Sequence, residues 1–225
     1  MTTSASTKQG QEDDFRGWRS HNRRDYFWPL GESEYAHYIP ASQNGLGDMF
    51  LHASFTTKSK SIIMDPLRIA LCWAITHSRH PLLMSKVIRN CNLNISPTSK
   101  EEPYFWFSLP KDAIKEANSC LVFDNLPKEE LILNYLNGPR TLFDKHMSYL
   151  VISTGSPSTE ADDTDKGDYN LLMCAPHFIG DGASLHQCTH EFITLLASAQ
   201  SSQKLKQKLI QPLNWVDLLP PTLES

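Results

Sequence analysis

One segment of this 225-residue chain has residue types and spacing suited to chemistry: Ala175-Pro176-His177-Phe178-Ile179-Gly180-Asp181-Gly182. An imidazole titrates near neutrality, so a histidine held in place can take a proton from a hydroxyl or an amine. The flanking residues indicate how His177 would be held. Tyr169 to Ala175 is an apolar run that reads as a buried strand, and the residues from Gly182 onward read as an amphipathic helix. The strand fixes the backbone, and the sharp turn holds the ring at the edge of the sheet. Gly180 and Gly182 permit tight backbone geometry and close approach of a neighbouring segment. Asp181 can hold the turn by accepting from backbone N–H groups at the helix start, or by pairing with a cation elsewhere. A lone histidine beside an Asp-Gly turn is usually structural. Strand, His, Gly-Asp-Gly and helix in combination add weight to a catalytic reading beside the structural one.

The elements that must position this turn are mixed. Tyr26 to Pro40 is an aromatic, proline-punctuated opening segment, and Met49 to Thr56 alternates as a strand does. Asp65-Pro66 marks a helix start, with Leu67, Ala70, Leu71 and Ala74 as its apolar stripe and Pro81 past its end. Tyr104 to Leu109 is an aromatic strand, and Lys128 to Leu136 a helix stopped by Asn137-Gly138-Pro139. Met147 to Ser153 and Tyr169 to Ala175 suit neighbouring strands buried on both faces. The Ser/Thr/Asp-rich stretch between them is expected to be a mobile surface loop. In the helix after Gly182, Leu185, Cys188, Phe192, Leu195, Leu196 and Ala199 share one face. The segment beyond it, with Lys204, Lys206, Lys208, Pro212 and Trp215, reads as irregular. Mixed strand and helix order predicts an α/β or α+β fold with a sheet of mixed direction. Residues 1–24 are expected to form a flexible N-terminal segment and 25–220 the domain.

His177-Phe-Ile-Gly-Asp181-Gly182 resembles the H-x-x-x-D-G motif of the chloramphenicol acetyltransferase-like superfamily. That group includes the BAHD and trichothecene O-acetyltransferases and the condensation domains of peptide synthetases. The setting is similar too: the motif follows a long mixed half and opens a helix. The resemblance implies an α/β half-domain, a mixed sheet flanked by helices, and transfer of an acyl group from acyl-CoA to a small-molecule alcohol or amine. It makes His177 the general base, Asp181 an architectural residue pointing away from substrate, and Gly182 the residue that leaves room. Acyl-CoA enters as co-substrate, with no permanently bound cofactor. Condensation domains usually carry a second histidine where this chain has Pro176, which favours the CoA-dependent branch. The resemblance covers the N-terminal half of the family fold. The DFGWG segment of the second half does not occur here, so the expectation is a chain inactive alone, a homodimer, or one partnered by a complementary half. No residue is singled out as the oxyanion stabiliser that the reaction requires.

Other readings compete. His186 and His190 are four apart on the predicted helix and could share a metal-ligand face, but HQCTH lacks the glutamate of H-E-x-x-H and both lie opposite the apolar stripe. No G-x-S-x-G elbow supports a serine hydrolase. A noncatalytic half-fold that binds partners through an exposed apolar face is the third alternative; the aromatic runs at 26–28 and 104–107 could contribute to that face, but core packing is their expected use. A net charge of −4 argues against nucleic acid, and no apolar run is long enough to cross a bilayer. Five cysteines, an odd number without a CxxC pair, read as buried thiols in a reducing, cytoplasmic setting.

Overall fold

A computed structural model describes residues 18–22, 24–89, 103–140, 142, 146–154, 165–211 and 215–220. Two four-stranded sheets form the frame. The first contains β1 (Arg19–Asn22), β2 (Asp25–Pro29), β4 (Lys86–Arg89) and β5 (Pro103–Ser108), antiparallel in the order β1-β2-β5-β4. Tyr26, Trp28, Phe105 and Phe107 share one of its faces because Trp28 pairs with Phe105 and Tyr26 with Phe107. That face packs on Trp18, Tyr38, Met147 and Phe178. The aromatic runs are therefore mostly core, not an open docking patch. Strand β1 falls inside the stretch expected to be flexible, and buried Trp18 donates from Nε1 to the carbonyl of Pro220 at 2.9 Å.

The second sheet holds β3 (Asp48–Thr57), β6 (Leu121–Asp124), β7 (Tyr149–Thr154) and β8 (Gly167–Pro176) in the order β3-β8-β7-β6. Its β6–β7 pair is parallel and the others antiparallel, so the expected mixed sheet and the pairing of the two apolar runs are both found. Leu171, Met173 and Ala175 on β8 face one core with Leu150 and Ile152 of β7, while Leu172 and Cys174 face the other way. Helix α5 (Lys128–Asn137) covers that second face through Leu131. The connection between β7 and β8 lies largely outside the described residues.

The remaining helices are α1 (Glu32–Asn44), α2 (Lys60–Ile63), α3 (Pro66–Arg79), α4 (Ala113–Asn118), α6 (Gly182–Ala197), α7 (Ser202–Ile210) and α8 (Trp215–Leu218). Helix α3 starts as its sequence indicates: the Asp65 carboxylate accepts from the backbone N–H groups of Leu67 and Arg68, and Pro66 occupies the first turn. Its expected stripe is too narrow. Arg68 through Ser78 are all buried, whereas Leu67 is 41% exposed. A helix enclosed by α4, α6, α7 and a 3-10 turn has no solvent face to leave polar. Arg68, only 3% exposed, is satisfied by backbone carbonyls at the end of α6: those of Leu196 (3.0 and 2.8 Å), Gln200 (2.6 Å) and Ser198. A guanidinium there also meets the negative end of the helix dipole.

Two segments depart from expectation. The opening segment contains α1, which continues through Pro40. The Glu34 carboxylate accepts from the Gly31 N–H at 2.8 Å to start it, and left-handed Gly45 (φ 69°) ends it. The stretch after α6 is not irregular: Ser201 Oγ accepts from Lys204 N at 3.3 Å and caps α7. Leu205 then buries completely against the core of α3.

Candidate functional site

Strand β8 delivers the motif to the end of the second sheet, where Asp48 at the start of β3 pairs with Pro176. His177 begins one 3-10 turn, His177–Ile179, and its backbone N–H donates to the Gly47 carbonyl at 2.9 Å. Gly47 has φ 88°, a conformation that side chains disfavour. The loop carrying it is clamped from outside: Arg140 Nε and Nη2 each lie 2.9 Å from an Asp48 carboxylate oxygen, a bidentate pair. Phe178 is the anchor of the turn. It is buried, meets Tyr38 of α1 edge-on at 5.6 Å and stacks on Phe105 at 6.0 Å. Thus both sheets and α1 converge on three consecutive residues.

The His177 side chain is exposed, and its ring stacks on that of His37. Asp181 is the N-cap of α6. Its Oδ1 accepts from both the backbone N–H and the hydroxyl of Ser184, each at 2.8 Å. The Ser184 N–H, then its hydroxyl, hold the Asp181 carboxyl below the usual carboxylate range, and nearby His177 adds in the same direction. The carboxylate is thereby committed to its own helix. Gly180 packs tightly, since a Cβ there would lie 3.2 Å from the Ser184 Cβ. At Gly182 a Cβ would meet nothing within 4 Å, so no described segment of this chain approaches it as the sequence pattern suggested.

A cavity of about 240 Å³ lies beside the turn, lined by Met49, Ala175, Ile179, Asp181, Ser184 and His80 among others. His177 is not in its lining. At its rim Glu191 binds His80 Nε2 at 2.7 Å and pairs with Arg79. Burial pushes the Glu191 carboxyl up, but hydrogen bonds from Arg79 and His80 outweigh it and hold the group below its usual value. His186 and His190 sit exposed on α6, and among the described residues no group of three His, Cys, Asp or Glu is placed to hold a metal. Cys72, Cys120, Cys174 and Cys188 are free and buried; Cys91 lies outside the described residues. Cys174, close to His177 in sequence, is buried in the apolar sheet, and desolvation raises its thiol pKa. Sequence patterns gave no sign of His37, because its pairing with His177 is purely tertiary.

Among solved structures, the trichothecene 15-O-acetyltransferase TRI3 of Fusarium sporotrichioides superposes with a TM-score of 0.67 at 12% identity, covering 96% of this chain and 44% of that one. The chain thus has the fold of about half of an acetyltransferase of that type. The starter condensation domain of rhizomide synthetase RzmA matches at 0.51 with 9% identity, covering 80% of this chain and 43% of its own length. The condensation domain of the monacolin K polyketide synthase MokA matches at 0.50 with 14% identity, over 80% and 38%. This chain therefore spans less than half the length of the acyltransferase-fold proteins it matches. No protein-family model and no curated protein matches the sequence. Among the described residues, no helix of the chain is long and apolar enough to cross a membrane.

Proposed function

We propose that this half-fold supplies the base of an acyl transfer from acyl-CoA to a hydroxyl, or less readily to an amine. The observation that carries the reading is the exposed imidazole of His177 on a turn held by β8, Gly47, Phe178 and the Asp181 cap, within an acetyltransferase-like fold. His177 takes the acceptor's proton as its oxygen or nitrogen attacks the thioester carbonyl. The bond to the CoA sulfur then breaks, and the thiolate leaves with the proton held by His177. Asp181 shapes the turn and Gly182 leaves the space beside it open. The developing oxyanion needs a donor, which we assign to a complementary half of the fold that also closes the channel around CoA. The chain would act in the cytoplasm, in secondary metabolism.

Thiol release from acetyl-CoA over a panel of alcohols and amines tests this. Release that requires both an acceptor and His177 supports the reading. Release that persists in His177→Ala, or none from a folded chain even when a complementary half is supplied, overturns it. A noncatalytic binding role is then favoured by the apolar residues left open on α5, Leu133 and Leu136, both more than half exposed.

A further inference from the structure

We propose that His37 is a positioning residue for His177, holding the plane of its imidazole by ring stacking; this rests on the reading of His177 as the base. A histidine that acts as a base usually has its ring oriented by a hydrogen bond at the nitrogen that does not react, from a carboxylate or a backbone carbonyl. His177 has no side-chain hydrogen bond of that kind to another described residue. The nearest carboxylate of its own motif, Asp181, is engaged by Ser184 through both N–H and O–H. What the ring does have is His37, with centroids 5.3 Å apart and planes 14° from parallel.

His37 is built to serve as a fixed surface. It lies on α1, and its Nδ1 is 2.8 Å from the Ser33 carbonyl oxygen one helical turn back. A carbonyl oxygen only accepts, so Nδ1 carries the hydrogen and donates it. That bond sets both the tautomer and the tilt of the His37 ring relative to the helix. The helix is in turn tied to the motif: Tyr38, the next residue, meets Phe178, the residue after His177, edge-on at 5.6 Å. The stack and the Phe178 anchor are therefore two halves of one contact between α1 and the turn. Any shift of α1 moves both rings together. With one face of His177 beside His37, the side chain remains exposed to solvent, from which an acceptor would arrive. Stacking thus does the orienting work elsewhere done by a hydrogen bond, and restricts an otherwise free exposed side chain to one plane.

Two readouts test the role. The first needs no turnover: the carbon-bound ring protons of His177, assigned by their loss in His177→Gln, carry a ring-current shift from His37. That shift is expected to vanish in His37→Ala and to persist in His37→Phe, which keeps a flat ring. The second is kinetic, with kcat down roughly three- to tenfold in His37→Ala, KM unchanged and most of the loss restored in His37→Phe. Because His37 is exposed, both variants fold, which their circular dichroism checks. Unmoved His177 resonances in His37→Ala overturn the stack, and moved resonances with unchanged kcat overturn the positioning role. An intact ring signature in a wild-type chain that releases no thiol even with a complementary half supplied fails the base reading instead, and removes the role assigned to His37 with it.

Discussion

Acidification between pH 7 and 5 is expected to destabilise this fold mainly through one residue, His77. This histidine on α3 is fully buried under Trp73, whose ring centroid is 4.1 Å away. Its Nε2 lies 2.9 Å from Ser148 Oγ, and Ser148 Oγ donates to the Leu83 carbonyl at 3.0 Å. The serine hydrogen is therefore spent on Leu83, so Nε2 must be the donor and His77 carries its hydrogen there. Among the described residues, buried Nδ1 has no hydrogen-bond partner. Protonating it would place a charge on a buried atom that no described acceptor compensates. Desolvation first, and then the neighbouring His146 and His80, push the His77 pKa down from 6.5 to about 3. The unfolded chain binds a proton at His77 as pH drops below 6.5, while the folded chain stays neutral until about pH 3. Stability is thus fully present above the unfolded value and lost progressively below it, at about 1.4 kcal/mol per pH unit. Between pH 7 and 5 the loss is about 2 kcal/mol. Urea unfolding at pH 7, 6 and 5 measures it, with His77→Gln as the comparison because its amide can donate to Ser148 without titrating. Wild type should lose about 2 kcal/mol more than the glutamine variant over that window. Parallel pH dependence of the two proteins would refute the assignment of a neutral, buried His77.

Arg68→Met should lower stability by about 3 kcal/mol or more in a urea melt at neutral pH, because the carbonyls of Leu196, Ser198 and Gln200 lose their shared donor inside the protein. Asp181→Ser should melt at higher temperature than Asp181→Ala, since a hydroxyl still accepts from the Ser184 N–H at the start of α6. In the native chain Cys72, Cys120 and Cys188, whose thiols burial pushes up to about 11, should be alkylated far more slowly at pH 8 than in urea. Mass spectrometry of the labelled peptides reads the difference, and equal rates would refute the burial.

Legibility in the sequence followed the range of the interaction responsible. Asp65-Pro66 announced α3 because the capping groups lie within three residues of the N–H groups they serve. The pairing of β7 with β8 was readable because both runs are apolar without interruption, as strands buried on both faces must be. Pro40 hid α1, since a proline suggests a break; Gly31, Glu34 and Gly45 sustain the helix around it. Helix α7 was hidden by its lysines, for its burial rests largely on Leu205 reaching α3. The enclosure of α3 was equally unreadable, because a stripe of four apolar positions cannot report that α4, α6 and α7 close on the remaining faces.

The motif turn shows the same division, and it bears on how a half-fold could carry a working base. Its local part, the Asp181 cap on α6, was written in the spacing of Asp181 and the helix that follows. Its long-range part was not: the Gly47 carbonyl comes from the approach to β3, Phe105 from the first sheet, and Tyr38 and His37 from α1. Each of these contacts lies within this chain, and each constrains a different atom of the turn. The backbone at His177 is held by Gly47, the next side chain by Tyr38 and Phe105, and the ring by His37. Orientation of a base is what proximity catalysis requires before substrate arrives. On the proposed acyl-transfer reading, a second half supplies the oxyanion donor and the closed channel, while the turn and ring of His177 are held by contacts within this chain. It follows that chemical shifts of the His177 ring in the isolated chain should change little when a complementary half is added without substrate. A large change would mean that the ring is aimed across the interface and not by α1.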